Sequence, residues 1–304
     1  MSAYTYTKIS GSGFLCILST MGILKHTAVS LAFTLCFPLI VLTQLSHNIN
    51  DASILELSLS DLAPFAGATS TPSSKTLTLK NKRSINGPDD RVLWDSLKYP
   101  STAIGRFVRS DGNFCSASLV GPRHVLTAGH CATPSTALGG VFQPDFFDVE
   151  RFPNSTIEII TIAPAPDSPS CLSRPDWAVL LLSERLGDDR GYLGVKLFDA
   201  TTQLNQPIFY HAAYPNDVVP AGQRQYRQCG ITVWDSAGCD PYGPLLSYAD
   251  VASGHSGGPL WFGPDEAGGT YVVSVASGYN STATIFSSGT GMVAAVAYML
   301  ANYP

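Results

Sequence analysis

From about residue 100 the sequence breaks into short apolar runs, and this spacing constrains the fold more than any other feature. The runs are Ala103 to Val108, Cys115 to Val120, His124 to Leu126, Thr156 to Ile162, Trp177 to Leu182 and Pro207 to Ala212. Gly, Pro, Asn and Asp punctuate them; the chain of 304 residues carries 27 Gly and 21 Pro for such turns. Apolar runs of this length at close spacing read as an all-β barrel or sandwich rather than βαβ units. The end of the chain differs. Met292, Val293, Val296, Met299, Leu300 and Tyr303 recur at helical spacing behind Ser288 and Thr290, either of which suits a helix cap. A C-terminal α-helix packed on the strands is predicted. With 45% hydrophobic and 13% charged residues, the chain can bury a sizeable core.

The N-terminal part follows other rules. Lys8 and Lys25 precede an apolar run from Ala28 to Thr43, interrupted only by Ser30, Thr34 and Pro38. Its 16 residues fall short of the roughly 20 that a membrane-spanning helix needs, and suit the core of a secretory signal. Starting from Met21, Lys25 and His26 form a compact basic flank for that run. Residues 1–46 are expected to be a signal peptide; the alternative is an uncleaved single-pass anchor through residues 28–43. Residues 47–83 are rich in Ser, Thr, Leu and Ala, show no sustained period, and close on Lys80-Asn81-Lys82-Arg83. A dibasic pair there reads as a processing site, making 47–83 a pro-segment and Ser84 the mature N-terminus. A solvated linker with an incidental Lys-Arg is the plainer alternative.

Charge divides at the same place. Residues 1–83 carry 6 basic and 3 acidic groups, residues 84–304 carry 12 basic and 20 acidic. An acidic body argues against nucleic acid as a partner. Seven cysteines fit export: Cys16 and Cys36 lie in the targeting segment, while Cys115, Cys131, Cys171, Cys229 and Cys239 leave an odd one in the body. Cys229 and Cys239 flank a turn at Gly238 and are candidates for a local pair, with pairing of Cys171 to either left open. Asn154-Ser155-Thr156 and Asn280-Ser281-Thr282 are acceptor sequons, so Asn154 and Asn280 are candidate glycosylation sites in a secretory lumen.

Three stretches carry chemistry. Leu126-Thr127-Ala128-Gly129-His130-Cys131 puts a histidine where a strand ends in a tight turn, held yet open, and imidazole suits proton transfer near neutrality. Cys115 is placed to staple that turn to Cys131. Pro175-Asp176-Trp177-Ala178-Val179-Leu180-Leu181 sets a carboxylate at the mouth of an apolar strand, costly to bury unless paired, and an imidazole N–H is a natural partner. Gly254-His255-Ser256-Gly257-Gly258-Pro259 sets a serine among glycines, where its hydroxyl stands clear and backbone N–H groups can converge on one oxygen. The order His, Asp, Ser supplies a base, its orienter and a nucleophile for acyl transfer.

Together these three motifs resemble the chymotrypsin-fold serine peptidases. Gly87-Pro88-Asp89-Asp90-Arg91-Val92 and Tyr214-Pro215-Asn216-Asp217 are similar to the glutamyl-endopeptidase-like branch, with thin similarity over residues 84–304. The resemblance implies that 84–304 form two packed antiparallel six-stranded β-barrels, with the active site in the cleft between them and the barrels meeting near residues 187–191. It implies His130 as general base, Asp176 as its orienter, Ser256 as nucleophile, and the backbone N–H groups of Gly254 and Ser256 as the oxyanion hole. No metal or organic cofactor is implied. The implied partners are protein or peptide substrates, and the implied form is a secreted monomer. His124 and His211, in apparent strands, are expected to be packing or surface residues.

The sequence departs from the pattern in places. His255 stands where trypsin-like enzymes carry an aspartate that receives a newly freed N-terminal amine, so removal of the pro-segment at Lys82-Arg83 is expected to replace that device. A role for His255 as a second base is disfavoured, because adjacent side chains diverge and His130 fills the role. Asp250 falls where trypsin-like enzymes place the pocket carboxylate for Lys or Arg, but the cysteines that brace that pocket are absent. Val275-Ala276-Ser277-Gly278 is expected to be the edge strand that pairs with substrate through Ala276, Ser277 and Gly278. Glutamate-specific members have a histidine where Ala276 aligns, so a partner for an acidic substrate side chain is missing. The expected function is a secreted serine endopeptidase acting through an acyl-enzyme. The alternative, a non-catalytic binding relative, has to contend with His130, Asp176 and Ser256 all being present.

Overall fold

A computed structural model describes residues 83–85, 87–163, 175–240, 242–264, 268–280 and 282–304, with backbone only at 83 and 237–240. The expected signal peptide, the pro-segment up to Lys82, and Cys16, Cys36 and Cys171 lie outside the described residues. In chain order the strands are β1 (Arg83–Ser84), β2 (Val92–Leu93), β3 (Ile104–Val108), β4 (Phe114–Leu119), β5 (His124–Thr127), β6 (Val141–Pro144), β7 (Ser155–Ile162) and β8 (Ala178–Leu182). There follow β9 (Gly194–Val195), β10 (Phe209–Ala213), β11 (Tyr226–Ile231), β12 (Val233–Asp240) and β13 (Gly243–Ser247). The last are β14 (Val251–Ala252), β15 (Pro259–Phe262), β16 (Tyr271–Tyr279) and β17 (Thr284–Ser287). The helices α1 (Pro134–Ala137), α2 (Leu186–Arg190) and α3 (Ala200–Gln203) are short, and α4 (Thr290–Asn302) is the long one.

Strands β3, β4, β5, β8, β7 and β6 close into an antiparallel barrel in that order. Phe107, Leu119, Leu126, Phe142 and Leu180 fill it and are fully buried. All five residues of β8 are buried because one face lines the barrel while α4 packs over β8 and β5 outside. A strand covered on both faces reads as a continuous apolar run, which is what Ala178 to Leu182 shows. The helix buries Met292, Ala295, Val296 and Met299. His124, fully buried, donates from Nε2 to the Met299 carbonyl at 3.1 Å, which fits a packing role. The expected cap is corrected: Gly289 precedes the helix without a side-chain cap, Thr290 is its first residue, and the Ser288 hydroxyl instead donates to the Tyr242 carbonyl.

The second sheet runs β12-β13-β17-β16-β15-β10-β11-β2, with β9 alongside β16. Its end strand β12 is joined through the chain itself to β11, which lies next to the other end strand β2, since Thr232 alone separates β11 from β12. That bent run pairs with β10 through its first half and with β13 through its second. The ring is closed covalently there rather than by lateral pairing, a difference from a fully hydrogen-bonded second barrel. Phe198, Phe209, Leu245, Leu260 and Phe286 form its core. The expectation for Val275 to Gly278 also needs correcting. Strand β16 lies between β15 and β17; its pairing with β15 ends at Val275 opposite Pro259 and the serine turn takes Ala276, so the strand is an edge only from Ser277 on. Among the described residues no helix is long and apolar enough to cross a membrane.

Candidate active site

His130 sits in a 3-10 turn, Gly129–Cys131, that follows β5. The turn is held by a disulfide from Cys131 to Cys115 on β4, with Cα atoms 6.3 Å apart. Gly129 permits the close approach that follows, since a Cβ there would stand 3.1 Å from Asp176 Oδ1. Asp176 Oδ1 accepts the His130 backbone N–H at 2.7 Å, and Oδ2 lies 2.7 Å from His130 Nδ1. The Ser277 hydroxyl donates to the same Oδ2 at 2.6 Å, and the Asp176 N–H is taken by Ser287 Oγ at 2.7 Å. Burial opposes the charged carboxylate, but the bonds from His130 and Ser277 outweigh it and hold Asp176 below its ordinary value. An ionised Asp176 accepts only, so Nδ1 carries the imidazole proton and Nε2 presents a lone pair on a side chain that is 47% exposed.

The serine turn is built from backbone that only glycine tolerates. Gly254 and Gly257 have φ of +93° and +80°. A Cβ at Gly257 would collide with Thr127 Oγ1 and the Ser116 carbonyl, which seats the turn against the segment leading into His130. Ser116 ties it further: its hydroxyl donates to the Gly254 carbonyl at 2.7 Å and accepts from Tyr214 N–H at 2.9 Å, and its own N–H donates to the Ser256 carbonyl at 2.8 Å. Within 254–258 the N–H groups of His255, Gly257 and Gly258 go to the carbonyls of Ala252, Ala276 and His255. Among the described residues the N–H groups of Gly254 and Ser256 take no partner. Two unpartnered amides flanking His255, beside a serine hydroxyl, form a nest for an oxygen that gains negative charge.

Other residues singled out from the sequence are placed as follows. Asp250 is 1% exposed; its Oδ2 accepts Asp90 N–H at 2.9 Å and its N–H donates to Gln228 Oε1 at 2.8 Å, so it serves the N-terminal segment. The Ala276 N–H and carbonyl are both used by the serine turn, to Gly258 O and from Gly257 N, which leaves Ser277 and Gly278 on the open part of β16. Asn154 and Asn280 are exposed; Asn154 donates to Glu150 Oε1, and Asn280 Oδ1 accepts Thr282 N–H and Oγ1–H. Cys229 is an exposed free thiol, so neither pairing weighed for it is formed. Sequence reasoning missed Ser116 and the Asp176-directed side chain of Ser277. No local spacing marks either, because each acts on residues far along the chain.

Comparison with known proteins agrees with this geometry. The profile of the family described as Trypsin matches residues 98–298. A glutamyl endopeptidase of Bacillus licheniformis is 27% identical over 185 residues, covering 59% of this chain and 55% of that protein, so the chain matches about half the length of that relative. Among solved structures, a Glu endopeptidase in complex with MPD aligns with a TM-score of 0.58 at 21% identity, covering 72% of this chain and 100% of that one, a likeness of fold. Residues 98–298, which hold the closed barrel, the second sheet's core strands and every residue of the site, place the chain in the trypsin family.

Proposed function

We propose that the chain is a serine endopeptidase that cleaves peptide bonds of protein or peptide substrates through an acyl-enzyme. Ser256 Oγ attacks the scissile carbonyl while His130 Nε2 takes its proton. Asp176 keeps the imidazole in the tautomer that makes this possible and stabilises the imidazolium that forms. The tetrahedral oxyanion is received by the N–H groups of Gly254 and Ser256, each such donor contributing about 3 to 4 kcal/mol of barrier lowering in sites of this kind. His130 then returns its proton to the leaving amine, and water, activated the same way, releases the acyl group. The single observation that carries this reading is the pair of unpartnered amides beside Ser256.

Export to an oxidising compartment is part of the proposal and is supported by the Cys115–Cys131 disulfide. So is cleavage after Arg83, which frees Ser84 as the first residue of a peptidase domain running to residue 304. A preference for Lys or Arg is left open: Asp250, its candidate determinant, is buried and accepts the Asp90 N–H. A glutamate preference like that named for the relatives has no histidine at Ala276 to support it.

The test is labelling of secreted protein with a fluorophosphonate probe, followed by N-terminal sequencing of the labelled band. Labelling of wild type, its loss in Ser256→Ala, and a sequence beginning at Ser84 are expected. No labelling of wild type, or equal labelling of Ser256→Ala, sinks the enzyme reading and leaves a non-catalytic binding relative.

A further inference from the structure

A second hydrogen-bonded system lies beneath the serine turn and is not used by the reaction itself. Its head is Arg91, 8% exposed, in the segment that leads into β2. Arg91 Nε and Nη2 donate to Asp89 Oδ1 and Oδ2 at 2.9 and 2.7 Å. Nη1 and Nη2 donate to Asp217 Oδ1 and Oδ2 at 2.9 and 2.8 Å. Nη1 also lies 3.2 Å from His255 Nε2. These contacts use all the guanidinium donors, and arginine cannot accept, so His255 Nε2 must meet it with a lone pair. His255 therefore carries its proton on Nδ1, 2.9 Å from His211 Nε2. His211 accepts there and carries its own proton on Nδ1, 2.9 Å from the Pro259 carbonyl, which can only accept. Both ends of the chain of bonds thus fix its direction, from Arg91 through His255 and His211 to Pro259. Burial and the nearby Arg91 charge lower both imidazoles, His211 to about 4, which keeps the rings neutral as this arrangement requires.

The system grips the turn at the residues that matter. The peptide linking His255 to Ser256 carries one of the two unpartnered N–H groups, and Pro259 closes the turn at its far end. The same N-terminal segment also holds the approach to the turn: Ser84, which stays in the processed domain, pairs with Val251, and Asp90 N–H binds Asp250. Building on the endopeptidase reading, the geometry points to Arg91 as a positioning residue that sets the oxyanion turn through His255, His211 and Pro259. The cation that trypsin-like enzymes supply as a new N-terminus is here an internal side chain, delivered by the stretch that follows the dibasic site.

Two measurements test this on the processed, full-length domain. Nitrogen-resolved NMR of the wild-type imidazoles is expected to show His211 and His255 both neutral and protonated on Nδ1 at pH 6; either ring protonated on Nε2 overturns the proposal. Kinetics of Arg91→Gln combined with Asp217→Asn, which removes the cation without stranding a buried carboxylate, are expected to show kcat down about a hundredfold, the loss typical of one oxyanion donor, with KM little changed. Partial recovery is expected for Arg91→Ala on adding guanidinium. Wild-type kcat in the double variant overturns the proposal, and if that variant does not fold the tautomers decide. Wild type that shows the expected tautomers yet resists the fluorophosphonate refutes the endopeptidase reading while leaving the brace standing.

Discussion

Asp176 marks the limit of what single residues disclose. An acid just ahead of an apolar strand announces that it needs a partner, and a histidine at the end of another strand is a fitting one. The donor from Ser277 lies 101 residues away, and nothing in local spacing points to it. Yet that hydroxyl helps decide the charge state of the site. Removing it by Ser277→Ala takes one hydrogen bond from an ionised group, a loss of about 1.5 to 3 kcal/mol of stability near neutrality. The folded carboxyl is held below its ordinary value of 3.8, so the stability it contributes is present above that value and is lost as pH falls through the lower folded one. Denaturant unfolding of the variant and wild type should therefore converge in acid. A stability gap that stays constant from neutral pH through the whole acid limb of the titration would count against Ser277 acting through the carboxylate.

At the scale of elements, legibility followed burial. Strands β4, β5, β7, β8 and β10 were visible because apolar side chains crowd them, and α4 because its buried face repeats at helical spacing. Strands β11 and β2 escaped: Tyr226–Ile231 is Tyr-Arg-Gln-Cys-Gly-Ile, largely polar, and β2 is two exposed residues. The serine turn was legible as a glycine cluster, but which glycine is indispensable depends on packing. Gly257 and Gly112 have nearly equal φ, +80° and +81°, yet a Cβ at Gly257 meets Thr127 and backbone of Ser116, whereas at Gly112 nothing lies within 4 Å. Gly112→Ala should cost only the backbone strain, about 1 to 3 kcal/mol, and leave labelling of Ser256 intact. Gly257→Ala should displace the turn and lower the labelling rate by about a hundredfold or more. Paired thermal unfolding and labelling rates check this; equal labelling of the two variants would mean that the turn tolerates displacement.

The relation between the closed barrel and the second sheet was the least legible feature, because buried polar residues from both meet there. Ser101 and Asp145 flank the barrel, while Gln225 and Tyr214 belong to the second sheet's connections. Ser101 Oγ lies 2.8 Å from Gln225 Oε1 and 3.0 Å from Asp145 Oδ1, and Gln225 Nε2 donates to the Ile104 carbonyl at 3.1 Å. The Ser101 hydroxyl thus has two acceptors within reach, Asp145 Oδ1 and Gln225 Oε1, and one proton to give, so the carboxyl is incompletely satisfied whenever Gln225 takes it. Burial pushes Asp145 up to about 6 despite the Ser101 hydrogen bond and the Arg151 charge. Between about pH 4 and about pH 6 the folded state thus holds a proton on Asp145 that the unfolded chain has released, and stability falls as pH rises. His211, lowered to about 4 by burial, acts oppositely in the same window, since the unfolded chain binds a proton that the folded state refuses. His255 and His124 are lowered too, by burial first and then by neighbouring groups, His211 and Arg91 for the former and Arg123 for the latter, and add to that upward slope. The wild type should therefore gain stability with pH across this window, less steeply than its histidines alone dictate. Asp145→Asn removes the opposing proton and should steepen the rise by about 1.4 kcal/mol per pH unit, read as denaturant midpoints at several pH values. An unchanged slope would mean that Asp145 is already ionised in the folded protein across this window, with the Ser101 hydroxyl and Arg151 offsetting its burial.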